Sequence, residues 1–175
     1  MIVQRHSLAK HLAALAAGTL LLAGAAHAGE PQPVTVDIKR LSLDTALTAA
    51  RASIDACREQ GVQVTVTVVD RGGHPQVVLR DVLAMDVSIA ISRDKAYTAM
   101  SFNSATGALE GRFAGAYSVP KTPGLLIARG GLPIVAAGSI FGGIGVSGAP
   151  SGEIDEQCAQ AGIDAILDDL EMSTE

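Results

Sequence analysis

Aromatic side chains are scarce: two tyrosines, three phenylalanines and no tryptophan, 3% of 175 residues. There is no surplus of positive charge either, since the formal net charge is −5. Together these exclude a basic, aromatic-studded platform for nucleic acid. Cysteines number two, and neither has a second Cys or a His near it in sequence, which argues against a zinc site. The glycine pairs Gly72-Gly73 and Gly142-Gly143 belong to no G-x-x-x-x-G-K-[ST] pattern, so neither reads as a phosphate loop. Ser147 and Ser151 have no histidine at any recognised triad spacing. Asp168-Asp169 sits in a terminal helical pattern and reads as a solvated face.

One long apolar run is present, Leu12 to Ala23. Arg5 and Lys10 precede it and Ala26-His27-Ala28 follows it. Basic start, short apolar middle and small-x-small end are the marks of a signal peptide over residues 1–28, with the mature chain starting at Gly29. The run is short for a membrane span, and an uncleaved anchor is the alternative. Export to a periplasmic or extracellular space follows. Cleavage removes His6, His11 and His27 and leaves His74 as the one histidine; losing Arg5 and Lys10 makes the chain more acidic. Residues 29–175 suit one domain.

An oxidising compartment permits a disulfide between Cys57 and Cys158. The bridge would close a loop of about 100 residues, worth roughly 4.7 kcal/mol as an upper guide in chain-entropy terms. Two buried free thiols are the alternative.

The mature chain alternates in period. Ser42 reads as a helix cap, and Leu43, Leu47, Ala50, Ile54 and Cys57 form one apolar stripe ended by Gly61. Val62, Val64, Val66 and Val68 then alternate with polar residues, Arg71-Gly72-Gly73 supplies a turn, and Gln76 to Arg80 returns. A helix is predicted over Val87–Ser101 with Asp86 as its cap, and a shorter one over Ala105–Phe113. Residues Gly115 to Pro123 read as loop and Gly124 to Ala128 as a short strand. A hairpin over 134–147 turns at Gly138-Ser139 in type II′ geometry. Gly142, Gly143 and Gly145 in its second strand predict close approach by a backbone or a ligand. Ser151 caps a last helix with Ile154, Cys158, Ala161 and Ala165 facing inward. Hairpins demand antiparallel pairing, so the class is α+β. The first and last helices share one sheet face, which brings Cys57 near Cys158.

Four blocks carry a resemblance: Val68-Val69-Asp70-Arg71-Gly72-Gly73-His74 with Arg80; Ile91 with Arg93-Asp94-Lys95-Ala96-Tyr97-Thr98-Ala99; Gly130-Gly131-Leu132-Pro133-Ile134; and Gly143-Ile144-Gly145-Val146-Ser147-Gly148-Ala149 with Asp155-Glu156-Gln157-Cys158-Ala159. In this order they span essentially the whole mature chain. It resembles the GlcG/HbpS-like haem-binding, "haem-degrading" domain family, which is similar to the PduO C-terminal domain. The resemblance implies a profilin-like α+β fold with a five-stranded antiparallel sheet, homo-oligomers, and haem or another tetrapyrrole as cofactor in some members.

Haem chemistry then singles out residues. His74 is a metal ligand through a neutral imidazole nitrogen, or a solvated turn residue before Pro75. Tyr97, Met85 and Met100 are other axial candidates, with core filling as the plainer role for the methionines and a packed, hydrogen-bonded ring for Tyr97. Arg80, Arg93 and Lys95 are cations for propionates, and Thr98 lies almost one turn beyond Lys95. The plainer role for these cations is an ion pair with Asp94, Asp70 or Asp81. Three functions fit: an exported tetrapyrrole-binding protein for storage, sensing or scavenging; a haem-degrading enzyme; and a non-catalytic oligomeric subunit. The thin catalytic complement favours the first.

Overall fold

The computed structural model describes residues 33–113 and 119–173. Residues Asp37–Glu175 form one compact unit; the other unit, Met1–Val36, is described only over 33–36. The expected leader, residues 1–28, lies outside the described residues, as does 114–118 within the predicted loop.

Alternating valine and threonine makes β1 (Thr65–Asp70), and the Arg71-Gly72-Gly73 turn returns the chain as β2 (Pro75–Arg80). The later hairpin is β3 (Gly131–Ala136) and β4 (Ser139–Ser147). All pairings are antiparallel, in the order β2-β1-β4-β3. Among the described residues the sheet therefore has four strands, not the five expected. Residues 124–128 form no ladder; their segment is tied instead to a helix, where Leu126 N donates to Thr98 Oγ1 at 2.8 Å. The β3–β4 turn also differs from expectation. Ala137 and Gly138 both have positive φ, 45° and 73°, so the centre is Ala137-Gly138 and the turn is of the type I′ kind.

Among the described residues three helices cover the sheet: α1 (Leu43–Glu59), α2 (Val87–Phe102) and α3 (Gly152–Met172). Ser42 caps α1 by accepting from Thr45 N, and Ser151 caps α3 by accepting from Ile154 N. Asp86 makes no such bond at the start of α2. The predicted third helix shrinks to a 3₁₀ turn over Thr106–Leu109.

Two inward stripes are rotated from those expected. On α1, Ala46, Ala49, Ala50, Ile54 and Cys57 are buried, whereas Leu43 and Leu47 are exposed. On α3 the buried set is Asp155, Cys158, Ala159, Gly162, Ile163, Ile166 and Leu170, with Ala165 exposed. The cause is close packing: a Cβ on Gly162 would sit 2.5 Å from Ala49 O, so small residues, not leucines, mark the α1–α3 seam. The disulfide Cys57–Cys158 closes that seam, with Cα atoms 5.5 Å apart.

The main core lies between α1/α3 and the sheet, where Val66, Val68, Ile144 and Val146 meet Ala46, Ile54, Ile163 and Ile166. The other sheet face carries threonines, yet it is not solvated. Thr65 and Thr67 hydroxyls bond the hydroxyls of Ser88 and Ser92 on α2 at 2.6 and 2.8 Å. β1 is thus buried throughout. On β4 the approaching backbone is that of α2: a Cβ on Gly143 would lie 2.5 Å from Ala96 O, and one on Gly145 would lie 2.6 Å from Ala96 N and meet Ser92 O. Gly145→Ala should therefore cost about 1–3 kcal/mol by forcing backbone against backbone. Urea unfolding checks it, and an unchanged midpoint would contradict the close-approach account.

Candidate functional site

The glycines of β4 seat α2 over β4, β1 and β3, and α2 barely reaches β2. Cross-strand partners share a sheet face, so Val78 and Arg80, opposite Thr67 and Thr65, point to the α2 side. Val78 is left exposed there. Ile89, Arg93 and Tyr97 follow at every fourth residue and share the flank of α2 beside this uncovered face. The orientation is fixed at one end by Tyr97, whose ring lies against Gly73: a Cβ there would come within 2.5 Å of the ring. Pro123 and Gly124 complete a depression of about 200 Å³ with Gly73, Arg93, Asp94 and Tyr97. This depression, the uncovered strip of β2 that carries Val78 and Arg80, and the Ile89–Arg93–Tyr97 flank of α2 together outline a groove.

Both cations have small-scale partners. Arg80 Nη1 donates to Asp86 Oδ1 and to Ala84 O, each at 2.7 Å. Arg93 Nε donates to Asp94 Oδ1 at 2.9 Å. These are exposed or half-exposed pairs, which contribute little and exchange partners readily.

His74 stands on the same turn as Gly73, with its imidazole beside Asp70. Its side chain is 81% exposed, and Nδ1 lies 3.5 Å from Asp70 Oδ1. Asp70 organises the turn: its Oδ1 accepts from Gly72 N at 2.8 Å and His74 N at 3.0 Å, and Arg40 lies 3.3 Å from Oδ2. Burial alone would push its carboxyl up. The His74 and Gly72 N–H groups, Arg40 and His74 outweigh that and hold it below the usual range. Sequence reasoning treated Asp70 only as an ion-pair partner. Its signal was an aspartate two residues before a glycine at a turn, the Asx-turn pattern.

Lys95 and Thr98, three residues apart, occupy the opposite flank of α2 and do not reach the groove. Lys95 is about 5% exposed and donates to Asp155 Oδ2 at 2.8 Å and to Val146 O at 2.9 Å. Burial pushes the Asp155 carboxyl up even against the Lys95 hydrogen bond and charge. Its other oxygen accepts from Ala149 N. Lys95 thus joins α2 to β4 and α3 and is not free to meet a propionate. Asp155, its partner, was missed because it lies 60 residues away. Thr98 is fully buried, donating to Asp94 O and accepting from Leu126 N, so it holds the wall rather than lining it. Of the expected site residues, then, Arg80 and Tyr97 share the groove, His74 stands at its end, and Lys95 and Thr98 support it from behind. Met100 contacts the Gly73 turn, and Met85 is exposed beyond Arg80.

Among the described residues no three His, Cys, Asp or Glu side chains converge on a metal position, so a metal in this groove would need most of its ligands from a cofactor. The residues fit a flat, carboxylated macrocycle on one side: apolar and aromatic surface flanked by guanidinium forks. Also among the described residues, no helix is long and apolar enough to cross a membrane.

The structure defines a class: a small α+β domain with one antiparallel sheet and an open groove on the part of the sheet face that α2 leaves bare. Residues 41–164 match the family described as haem-degrading protein HbpS-like, and the chain belongs to that family. It is similar to a double mutant of HbpS from Streptomyces reticuli, with 40% identity, 81% of this chain and 97% of that one covered, and a TM-score of 0.73. It is similar to PduOC in its haem complex, with 31% identity, 73% and 95% coverage, and a TM-score of 0.68. An uncharacterized 15.0 kDa protein of Citrobacter freundii, from the dhaT-dhaS intergenic region, is 32% identical over 132 residues, which is 73% of this chain and 92% of that protein.

Asp70 gives a pH prediction. Its folded-state pKa is depressed, so its stabilisation is complete above the unfolded value of about 3.9 and is lost as pH falls through the lower folded value. Asp70→Asn should be less stable than wild type at pH 7, and the gap should narrow below about pH 4. Thermal unfolding across pH reads this directly; a gap that stays constant into acid would contradict it.

Proposed function

We propose that the mature chain, residues 29–175, is an exported protein that binds haem or a related tetrapyrrole in the groove between β2 and α2, and that it works as a homo-oligomer. Its role is storage, sensing or scavenging outside the cytoplasm. Export is supported by the leader-like residues 1–28. The observation that carries the ligand is the groove itself, which pairs the exposed apolar surface of Val78 and Ile89 and the Tyr97 ring with the guanidinium groups of Arg80 and Arg93. The haem complex of the relative PduOC supports the same ligand class.

The residues divide the work by chemistry. The apolar and aromatic side chains take one face of the macrocycle out of water. Arg80 and Arg93 would exchange the exposed Asp86 and the half-buried Asp94 for propionates. His74 turns Nδ1 toward Asp70, the arrangement in which a carboxylate orients an imidazole and leaves Nε2 to bind metal. When bound, haem iron supplies Lewis-acid and redox chemistry.

Haemin titration of the oxidised mature chain tests this. A saturable Soret shift is expected, one ligand per groove. Losing a charged hydrogen-bonded pair costs about 1.5–3 kcal/mol, so Arg80→Ala with Arg93→Ala should weaken binding at least tenfold. Steady loss of the band with iron release would move the reading to haem degradation. No shift at stoichiometric haemin, or a double variant that binds as wild type does, would overturn it.

A further inference from the structure

We infer that Tyr97 is a specificity-determining residue of the groove: its phenolic hydroxyl donates to one carboxylate arm of the bound tetrapyrrole, beside Arg93. The inference deepens the proposed function and rests on it. It concerns which form of the ligand is chosen, the free acid or its ester.

The ring is held, and its hydroxyl is free. Gly73 has a φ of +82°, and a Cβ there would come within 2.5 Å of Tyr97 Cδ2 and 2.6 Å of Cε2. Gly124 has a φ of +85°, and a Cβ there would lie 3.9 Å from Tyr97 Cδ1. Two glycines, one on the β1–β2 turn and one after Pro123, thus flank the ring. A side chain so placed has little rotamer freedom to lose when a ligand arrives. The residue is half-buried, yet among the described residues its oxygen has no hydrogen-bond partner. Nor is it one of the buried oxygens that lack a partner, which are Ser53 Oγ, Gln76 Oε1 and Glu156 Oε2. The hydroxyl therefore reaches water.

Size selects a side arm. The depression that Tyr97 lines with Gly73, Arg93, Asp94, Pro123 and Gly124 holds about 200 Å³. Pockets that take a whole drug-sized ligand begin at about 300 Å³. This one admits an arm and not a macrocycle, and the arms that need hydrogen-bond donors are carboxylates. Arg93 precedes Tyr97 by one helical turn on the same flank. Long helical side chains lean toward the N-terminus, which carries Tyr97 toward Arg93.

Charge gives the neutral donor its value. Arg93 is already engaged by Asp94, with Nε 2.9 Å and Nη2 2.8 Å from Oδ1, and Asp94 lines the same depression. An incoming carboxylate has to displace that aspartate from Arg93. Tyr97 offers a donor with no internal acceptor to displace. Its hydroxyl gains most from an ionised acceptor and much less from an ester oxygen.

Paired titrations with haemin and haemin dimethyl ester, in one solvent, are the test. The wild type should bind the free acid more tightly. Tyr97→Phe keeps a ring between the two glycines and removes the oxygen alone, and it should lower the ratio of free-acid to ester affinity about tenfold. A ratio equal to that of wild type overturns the inference. So does an equal loss for both ligands, which would make Tyr97 a packing residue or an iron ligand. A wild type that binds neither ligand removes the proposed function and this inference with it, whereas a wild type that binds haemin beside an unchanged ratio removes the inference alone. If Tyr97→Phe does not fold, wild type carrying an NMR-active carbon at tyrosine Cζ decides, since the chain has two tyrosines to resolve. The Tyr97 signal should differ between the complexes with gallium protoporphyrin and with its dimethyl ester, and one position in both overturns the inference.

Discussion

The close seating of α2 on the glycines of β4 is the constraint from which the rest follows. With no side chains at Gly143 and Gly145, the helix backbone drops onto the sheet at Ala96 and Ser92. That position suits small hydroxyl contacts, Thr65 with Ser88 and Thr67 with Ser92, which a helix held at ordinary distance would not make. It also centres the helix away from β2. One strip of sheet, carrying Val78 and Arg80, is left without a cover, and the groove is that strip. A larger side chain on β4 would both lift α2 and change the groove's shape.

The opposite flank of the same helix explains why the groove holds its form. Lys95 reaches Asp155 and Val146 in the interior, and Thr98 fastens Leu126. A buried ion pair of this kind stabilises little in net terms, because both ions lose water. Removing one partner leaves an uncompensated charge, so the pair specifies one seating of α2 against α3 and β4. Binding chemistry and positioning chemistry thus divide between two sides of one helix: Arg93 and Tyr97 outward, Lys95 and Thr98 inward.

Much of the fold was legible in the sequence, for identifiable reasons. Period-two valines gave β1, Ser42 and Ser151 announced their helices, and the order of elements brought Cys57 to Cys158. The fifth strand failed because Gly124 to Ala128 looks extended and apolar, and only a tertiary bond to Thr98 shows that it stays out of the sheet. The inward faces of α1 and α3 were misread because leucines outweigh alanines in any apolar pattern, whereas a helix seam this tight admits only small residues. In the site, residue types were readable and directions were not. Tyr97 and Arg80 face the groove and Lys95 faces inward, and a two-residue step along a helix separates Lys95 from Tyr97. The acidic partner that claims Lys95 lies 60 residues on, beyond any local signal.

The central claim is where the tetrapyrrole lies. Chemical-shift mapping with a diamagnetic stand-in, gallium protoporphyrin, tests it most directly, since ring currents mark the residues beneath the macrocycle. The account predicts the largest shifts at Val78, Ile89, Arg93 and Tyr97, with Gly73 and His74 next. Shifts centred instead on the separate depression lined by Arg129, Leu132, Gln157 and Gln160 would contradict it.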